Sequence, residues 1–428
     1  MKKPMSVLAG DLREKLVKRF AARRETGEVT SAPSPSAASP DIDQFCRFDA
    51  FPAYRQIVSS LQSSQPALAP GQGEGDFASY DYLGLASDPR VREAAKQAVD
   101  QYGSSVSASR LVAGERPLLR ELEAALAEIY AVDDALVFVS RYAGNETTIG
   151  HLFGPRDLVV HDQFCHLSVL EGVRLAGATR RAFPHNDLPA LEKLLAGARG
   201  DYERVLIVAD GLSPVAGDIC DLPGLVALKQ RYRTFLMVDD AHALGVLGEG
   251  GRGSREHWAL AGDDVDFWSG SLGHALAGAG GYIAGSRALI DLLKYSAPGF
   301  VYSVGLAPAM AAAAREALRI LGSEPARPAL LRQNARQFLA GVHAQGFATG
   351  ACAGQAVVPL ILGDSGTVLA FAEHLAGRGI QALPLVSPAV DEGQARLVFC
   401  IHHGHGAESL ERALAALASA RQRVGVKP

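Results

Sequence analysis

Four short apolar runs of this chain each end in a residue that can do chemistry. ALVFVS (135–140), DLVVHD (157–162), VLIVAD (205–210) and FLMVDD (235–240) carry Ser140, Asp162, Asp210 and Asp239 at their ends. Runs that are apolar on both faces suit central strands of a mainly parallel sheet covered by helices. The carboxyl ends of strands in such open sheets line the ligand crevice. Turns after strands are polar in any case, but four successive polar ends favour a site. Cys165 stands next to His166, so a reactive thiolate competes with the plainer reading of a buried apolar cysteine. The run HHGH (402–405) looks like a ligand set by residue type. Five cysteines without a CxxC spacing argue against a disulfide scaffold and a structural zinc ribbon.

The elements that must position these residues follow from pattern and composition. The chain has 428 residues, 48% hydrophobic and 21% charged, which excludes a wholly disordered protein. The net charge of −4 points to no nucleic-acid partner. No apolar stretch of about 18 residues suggests a membrane span, and the charged N-terminus does not read as a signal peptide, so a cytoplasmic protein is expected. Residues 1–44 form a segment of their own. Lys2, Lys3, Arg13, Lys15, Lys18, Arg19, Arg23 and Arg24 accompany Leu8, Leu12, Leu16 and Phe20 at helical spacing, followed by the linker TSAPSPSAASP. This stretch is either a frayed terminus or a basic docking helix for an acidic partner such as a carrier protein. Residues 45–105 form a segment packing on the core. Within it a helix starts at Ser87 or Asp88, has Pro89 in its first turn and closes at Gly103. The run GAGGYIAG (278–285) lets backbone pass close to a neighbour or makes a tight turn. Residues 106–310 are assigned to a large α/β domain. Residues 311–428, with Ala/Leu-rich helices and the strands VVPLIL and ARLVFCI, are assigned to a smaller α+β C-terminal domain.

From about residue 76 to 415 the chain resembles the α-oxoamine synthase family of fold-type I pyridoxal-phosphate (PLP) enzymes. The likeness rests on FASYDYLGLASDPRV, GSSVSASRLVAGERPLLRELE, HLFGPRDLVVHD, FPHNDLPALEKLL, MVDDAHALGVLGEGGRG, GGYIAGSRALIDLLKY and PGFVYSVGLAPA. Members join an acyl thioester to an amino acid with loss of carbon dioxide. The resemblance implies that Asp239 faces the cofactor's pyridinium nitrogen, where a carboxylate keeps the ring an electron sink. It places His242 near the phenolic oxygen, His166 on the ring face, and Arg396 at the amino-acid carboxylate as a bidentate partner. It also implies a homodimer, in which Ser303 approaches the phosphate pocket of the neighbouring subunit. The same resemblance puts HHGH at a strand end and turn, which favours a solvated loop.

The central position departs from the family. Where the pattern reads Thr-x-Ser-Lys-Ala-Leu, this chain has Ser271-Leu272-Gly273-His274-Ala275-Leu276. An imidazole has no primary amine and cannot form the Schiff base. The Ser-Gly-aromatic turn near the phosphate reads Ser140-Arg141-Tyr142, and Pro214-Val215-Ala216-Gly217-Asp218 replaces a Ser-Met-Asp-Gly-Asp segment. Arg141, Tyr142, Ser271 and Ser303 are the positions implied for cofactor contact. The expectation that follows is an acyltransferase with a degenerate PLP site and no covalently bound cofactor. An acyl group would pass from a CoA or carrier-protein thioester to an amine, hydroxyl or thiol. His274 or His242 would act as base, Asp239 would orient it in triad fashion, and His166 and Cys165 would stand beside them. No metal is expected. Two alternatives stay open: a non-catalytic subunit or scaffold, like the lysine-lacking subunit of eukaryotic serine palmitoyltransferase, and PLP-dependent decarboxylative condensation.

Overall fold

The computed structural model describes residues 75–425. The basic N-terminal segment and its linker lie outside the described residues. Eleven strands are described, in two sheets. The large sheet holds β2 (Asp134–Phe138), β3 (Leu158–Asp162), β4 (Thr179–Phe183), β5 (Val205–Asp210), β6 (Phe235–Asp239), β7 (Phe267–Ser271) and β8 (Gly281–Gly285). Their spatial order is β2-β8-β7-β6-β5-β3-β4, and the pairings from β7 through β4 are all parallel. The small sheet joins β1 (Asp76–Phe77), β9 (Val357–Gly363), β10 (Gln381–Leu385) and β11 (Ala395–Cys400) in the order β1-β10-β11-β9. The fold is thus α/β with a mainly parallel central sheet and a smaller C-terminal domain.

Three of the four apolar runs are interior parallel strands, as their patterning requires. The first, β2, is not. It sits at the sheet edge and pairs antiparallel with β8. Its side chains from Ala135 to Phe138 are nonetheless buried, because the helices α2 (Pro117–Tyr130) and α7 (Arg287–Ser296) pack against it. Two-face burial by helices gives an edge strand the sequence of a central one.

The helices begin where their capping residues predict. In α1 (Pro89–Tyr102), the Asp88 carboxylate accepts from the Arg90 amide, proline occupies the first turn, and Gly103 closes the helix at φ 78°. Helix α3 (Arg141–Leu152) starts directly after β2, with Ser140 Oγ accepting from the Ala143 amide at 3.0 Å. Helix α4 (Leu167–Ala176) packs closely on α3, and a Cβ added at Gly172 would come within 2.9 Å of Ile149. The helices α5 (Leu188–Ala198) and α6 (Leu222–Tyr232) also open on aspartate caps, Asp187 and Asp221. The glycine run predicted to allow a close approach does so at Gly281. A Cβ there would meet Arg141 Cα and N at 2.3 Å, so β8 can pass the start of α3 only without a side chain.

Candidate active site

The C-terminal ends of the parallel strands converge with the start of α3 on a buried polar network centred on Asp239. Its Oδ2 accepts from Arg141 Nε at 2.7 Å and from Asn145 Nδ2 at 3.0 Å, while Oδ1 accepts from the Ala241 amide at 3.1 Å. Arg141 and Asn145 are one helical turn apart, so α3 presents both donors to the same oxygen. Asn145 Nδ2 also donates to Ser168 Oγ at 3.1 Å, and its Oδ1 accepts from Ser269 Oγ. Ser168 Oγ lies 2.7 Å from His166 Nδ1, which fixes that imidazole at the N-cap of α4.

Three histidines share this environment. His242 follows β6, and its Nδ1 shares a 2.7 Å hydrogen bond with Tyr82 Oη. His274 lies in the loop between β7 and β8, its ring 4.5 Å from His242 and 4.8 Å from Tyr80. His274 Nδ1 is buried without a protein partner, as is Arg141 Nη2. Burial, with the Arg141 charge adding, holds His166 down at about 4 and His274 at about 3, and burial drives His242 well below the ordinary imidazole value. Burial alone would raise the Asp239 carboxyl, but the Arg141 charge and the Asn145 hydrogen bond hold it below the usual carboxylate range. Asp210 stands beside it in register on β5. Burial and the Asp239 charge push the Asp210 carboxyl well up.

A second charged cluster borders the first. His185 is clasped between Asp162, at 2.8 and 2.9 Å, and Asp218, at 2.7 Å. The two carboxylates overcome the burial that would neutralise it and raise His185 to about 10. Arg396, on β11, donates to the Val215 carbonyl at 3.2 Å and lies over the Phe164 ring. Its Nε donates to the Gln394 carbonyl at 3.0 Å and its Nη2 reaches Gln394 Oε1 at 3.5 Å, so its partners among the described residues are neutral oxygens and none is a carboxylate.

These positions change several expectations. Asp239 does not orient a histidine: Arg141 and Asn145 take its Oδ2, and the His242 nitrogen bonds to Tyr82 instead, so no triad is assembled. Neither His242 nor His274 is a base poised near neutrality. Cys165 Sγ lies 3.2 Å from His161 Nδ1, but burial and the carboxylates Asp210, Asp162 and Asp239 push its thiol far up, so it is no ready nucleophile. Arg141, expected at the phosphate, spans to Asp239. Tyr142 is partly exposed, with its ring edge-on to His166 at 6.1 Å. Ser271 Oγ accepts from the Gly273 amide at 3.0 Å. Ser303 lies apart, lining a small cleft with Arg110, Phe138 and Phe300. The HHGH run is not a solvated loop: His402 and His405 are buried with their tilted rings 3.6 Å apart, and His405 stacks on Phe77 at 4.0 Å. No metal-binding group of three His, Cys, Asp or Glu side chains occurs among the described residues.

Sequence reasoning passed over Asn145, Ser168, Ser269, Tyr80 and Tyr82. Three of these had a signal. Asn145 is four residues after Arg141 in a helix opening at a strand end, and Tyr80 and Tyr82 alternate in a segment that carries the family likeness.

Residues 75–417 match the family of class I and II aminotransferases. The chain belongs to that family, and within it to the α-oxoamine synthases. It is 41% identical over 378 residues to 8-amino-7-oxononanoate synthase of Geobacter sulfurreducens, covering 87% of this chain and 95% of the relative. The 8-amino-7-oxononanoate synthase of Methylococcus capsulatus is 40% identical, over 86% of this chain and 94% of its own length. Among solved structures, serine palmitoyltransferase of Sphingomonas wittichii superposes with a TM-score of 0.82 at 27% identity, covering 91% of this chain and all of that one. Another neighbour with a TM-score of 0.82, at 26% identity over 90% of this chain and all of its own, is a serine palmitoyltransferase with a PLP internal aldimine.

These relatives correct two expectations. A PLP-free transfer of an acyl group to a general acceptor is overturned as the main function, because the relatives aligned along nearly their whole length are 8-amino-7-oxononanoate synthases. The absence of a cofactor is overturned by neighbours that hold PLP. The fit of PLP to the side chains as placed is incomplete all the same. Asp239, His166 and the buried polar shell match a ring with a protonated nitrogen, yet Arg141 lies on the carboxylate oxygen and His274 offers no amine.

Proposed function

We propose that this chain serves the decarboxylative joining of an acyl thioester to an amino acid, with PLP as cofactor held without a lysine bond. The acyl carbon forms a bond to the amino acid's α-carbon. The α-carbon's bond to the carboxylate breaks to release carbon dioxide, and the thioester's C–S bond breaks to release a thiol. The observation that carries this reading is the 41% identity over nearly the full length of an 8-amino-7-oxononanoate synthase, together with Asp239, His166 and His242 gathered in one buried site. A serine palmitoyltransferase variant with a lysine changed to alanine is described with a bound PLP–myriocin aldimine, which supports retention of the group in this fold after loss of a lysine. When bound, PLP supplies an electron sink for the charge left by carbon dioxide. The chain's own residues bind and orient. Asp239 stays anionic at the strand end, His166 presents a neutral flat ring, and Arg396, whose protein partners are all neutral oxygens, offers its charge to a carboxylate. Neutral His274 faces the pocket with an unpartnered Nδ1 able to hydrogen-bond a bound molecule.

The acyl chain is proposed to arrive on CoA or a carrier protein, and the unit to be a homodimer in the cytoplasm. Exposed Val112, Tyr302 and Val304 support a dimer surface: their segments are joined by the Gly305 amide donating to the Ala108 carbonyl and Ser109 Oγ donating to the Val301 carbonyl. A second reading, a non-catalytic subunit, is favoured by the replacement of lysine by His274 and by the Arg141–Asp239 pair. The test is release of labelled carbon dioxide from carboxyl-labelled amino acids, with acyl thioester and PLP supplied. Release by the chain alone is expected. Silence alone, with release on adding a lysine-bearing relative that is itself inactive, would replace the first reading by the second.

A further inference from the structure

We infer that Arg141 is a latch on the cofactor pocket: its guanidinium pairs with Asp239, and PLP must displace it to reach that carboxylate. The inference rests on the cofactor proposed above. It starts from how fully Asp239 is occupied. Oδ2 accepts two donors, Arg141 Nε and Asn145 Nδ2, and Oδ1 accepts the Ala241 amide. A ring N–H seeking Oδ2 finds both of its acceptor positions already taken. The Asn145 and Ala241 contacts belong to the walls of the site. The Arg141 contact comes from a long side chain at the first position of α3, and a long side chain can swing.

Two observations make Arg141 a latch rather than a fixed wall. Its backbone is pinned, because Gly281 packs directly on Arg141 Cα and N, so any movement is confined to the side chain. Its Nη2 is buried with no partner, so the guanidinium sits in the pocket with an unmet donor, a costly state that one ion pair only partly offsets. A group that brings its own anionic oxygens gives the displaced guanidinium a second place to go. The same arginine therefore weakens entry of the ring and can clasp the anion of the molecule that enters. Arg141 is in this sense a positioning residue acting through Asp239.

The test uses the full chain and PLP itself, titrated by equilibrium dialysis and by quenching of intrinsic fluorescence. The variants are Arg141→Gly, Arg141→Gln, His274→Lys and the double Arg141→Gly/His274→Lys. Because an occupied site lowers apparent affinity by its competent fraction, Arg141→Gly should bind PLP about tenfold more tightly or better. Arg141→Gln, which keeps a neutral donor, should fall between, and carries the comparison if the glycine variant does not fold. Borohydride reduction and intact mass should find a PLP adduct in the double variant in higher yield than in His274→Lys alone. Equal affinity of wild type and both Arg141 variants, with an adduct still formed by His274→Lys, would overturn the latch and leave the cofactor proposal standing. No binding by any variant, the double included, would overturn both.

Discussion

Neutralising Arg141 should destabilise the protein through Asp239, and the size of the effect follows from the geometry. The pair is 2.7 Å between Nε and Oδ2, with side chains 8% and 1% exposed. Two unit charges about 4 Å apart at an effective dielectric of 20 attract by ~4 kcal/mol, and stripping one partner from a buried pair costs roughly 3–5 kcal/mol. Asp239 retains Asn145 Nδ2 and the Ala241 amide, so Arg141→Met, which keeps the aliphatic stem, should cost about 3 kcal/mol. Asp239→Asn should cost a similar amount by leaving the guanidinium alone. In the double variant neither charge is stranded, so the two losses should fall short of additivity by about 2–3 kcal/mol. The assay is equilibrium urea unfolding at pH 7 in the absence of PLP, followed through the fully buried Trp268, with refolding checked. Because the folded state holds Asp239 below its unfolded pKa, the pair's contribution is present above about pH 4, the unfolded value, and is lost as pH falls through the lower folded value. Coupling should therefore be the same at pH 5 and pH 7. A coupling below about 0.5 kcal/mol, the level at which independent sites add, would refute the view that this ion pair organises the pocket.

Two other groups give separate outcomes. His185 is raised to about 10 by Asp162 and Asp218, so its stabilising effect should be full below pH 6.5 and fade as pH climbs towards 10. His185→Gln should erase that slope in urea unfolding between pH 7 and 10, and an unchanged slope would show that the clasp does not hold the charge. Cys165, with its thiol pushed far up by burial and neighbouring carboxylates, should be alkylated by iodoacetamide at pH 8 at least about tenfold more slowly in the folded than in the unfolded chain. Peptide mass analysis reads this directly, and equal rates would restore it as a reactive thiol.

The parts legible in the sequence were those governed by local rules. Asp88, Pro89 and Gly103 frame a helix because a cap, a fixed φ and a left-handed stop act within a turn. The runs ending in Asp162, Asp210 and Asp239 are parallel strands because burial on both faces leaves a plain pattern. What escaped depended on contacts between distant segments. An edge strand covered by helices, such as β2, has the same pattern as a central one. HHGH read as a solvated turn because no local rule reports that Phe77, more than three hundred residues earlier, stacks on His405. The gathering of Asp239, His166, His242 and His274 came from family resemblance, whereas the Arg141 bridge needed coordinates, since nothing in spacing says which of several strand-end groups an arginine will choose.

The changes at 141 and 274 make physical sense together. Arg141 acts on His274 electrostatically, lowering its affinity for a proton, while Asp239 acts in the opposite sense. The two positions therefore share one field with the Asp239 carboxylate. A lysine at 274 would set a second cation in that field, and two cations would compete for Asp239 in a buried space where unpaired charge is costly. A neutral imidazole removes the competition. Conversely, with glycine at 141, Asp239 would lack the cation that offsets its burial, and a ring bearing a protonated nitrogen would supply it. Either Arg141 or such a ring can balance the carboxylate, but the full family arrangement and the one found here cannot occupy the pocket at once. The substitution of His274 thus accompanies a change in what neutralises Asp239, and the two positions are best tested as a pair.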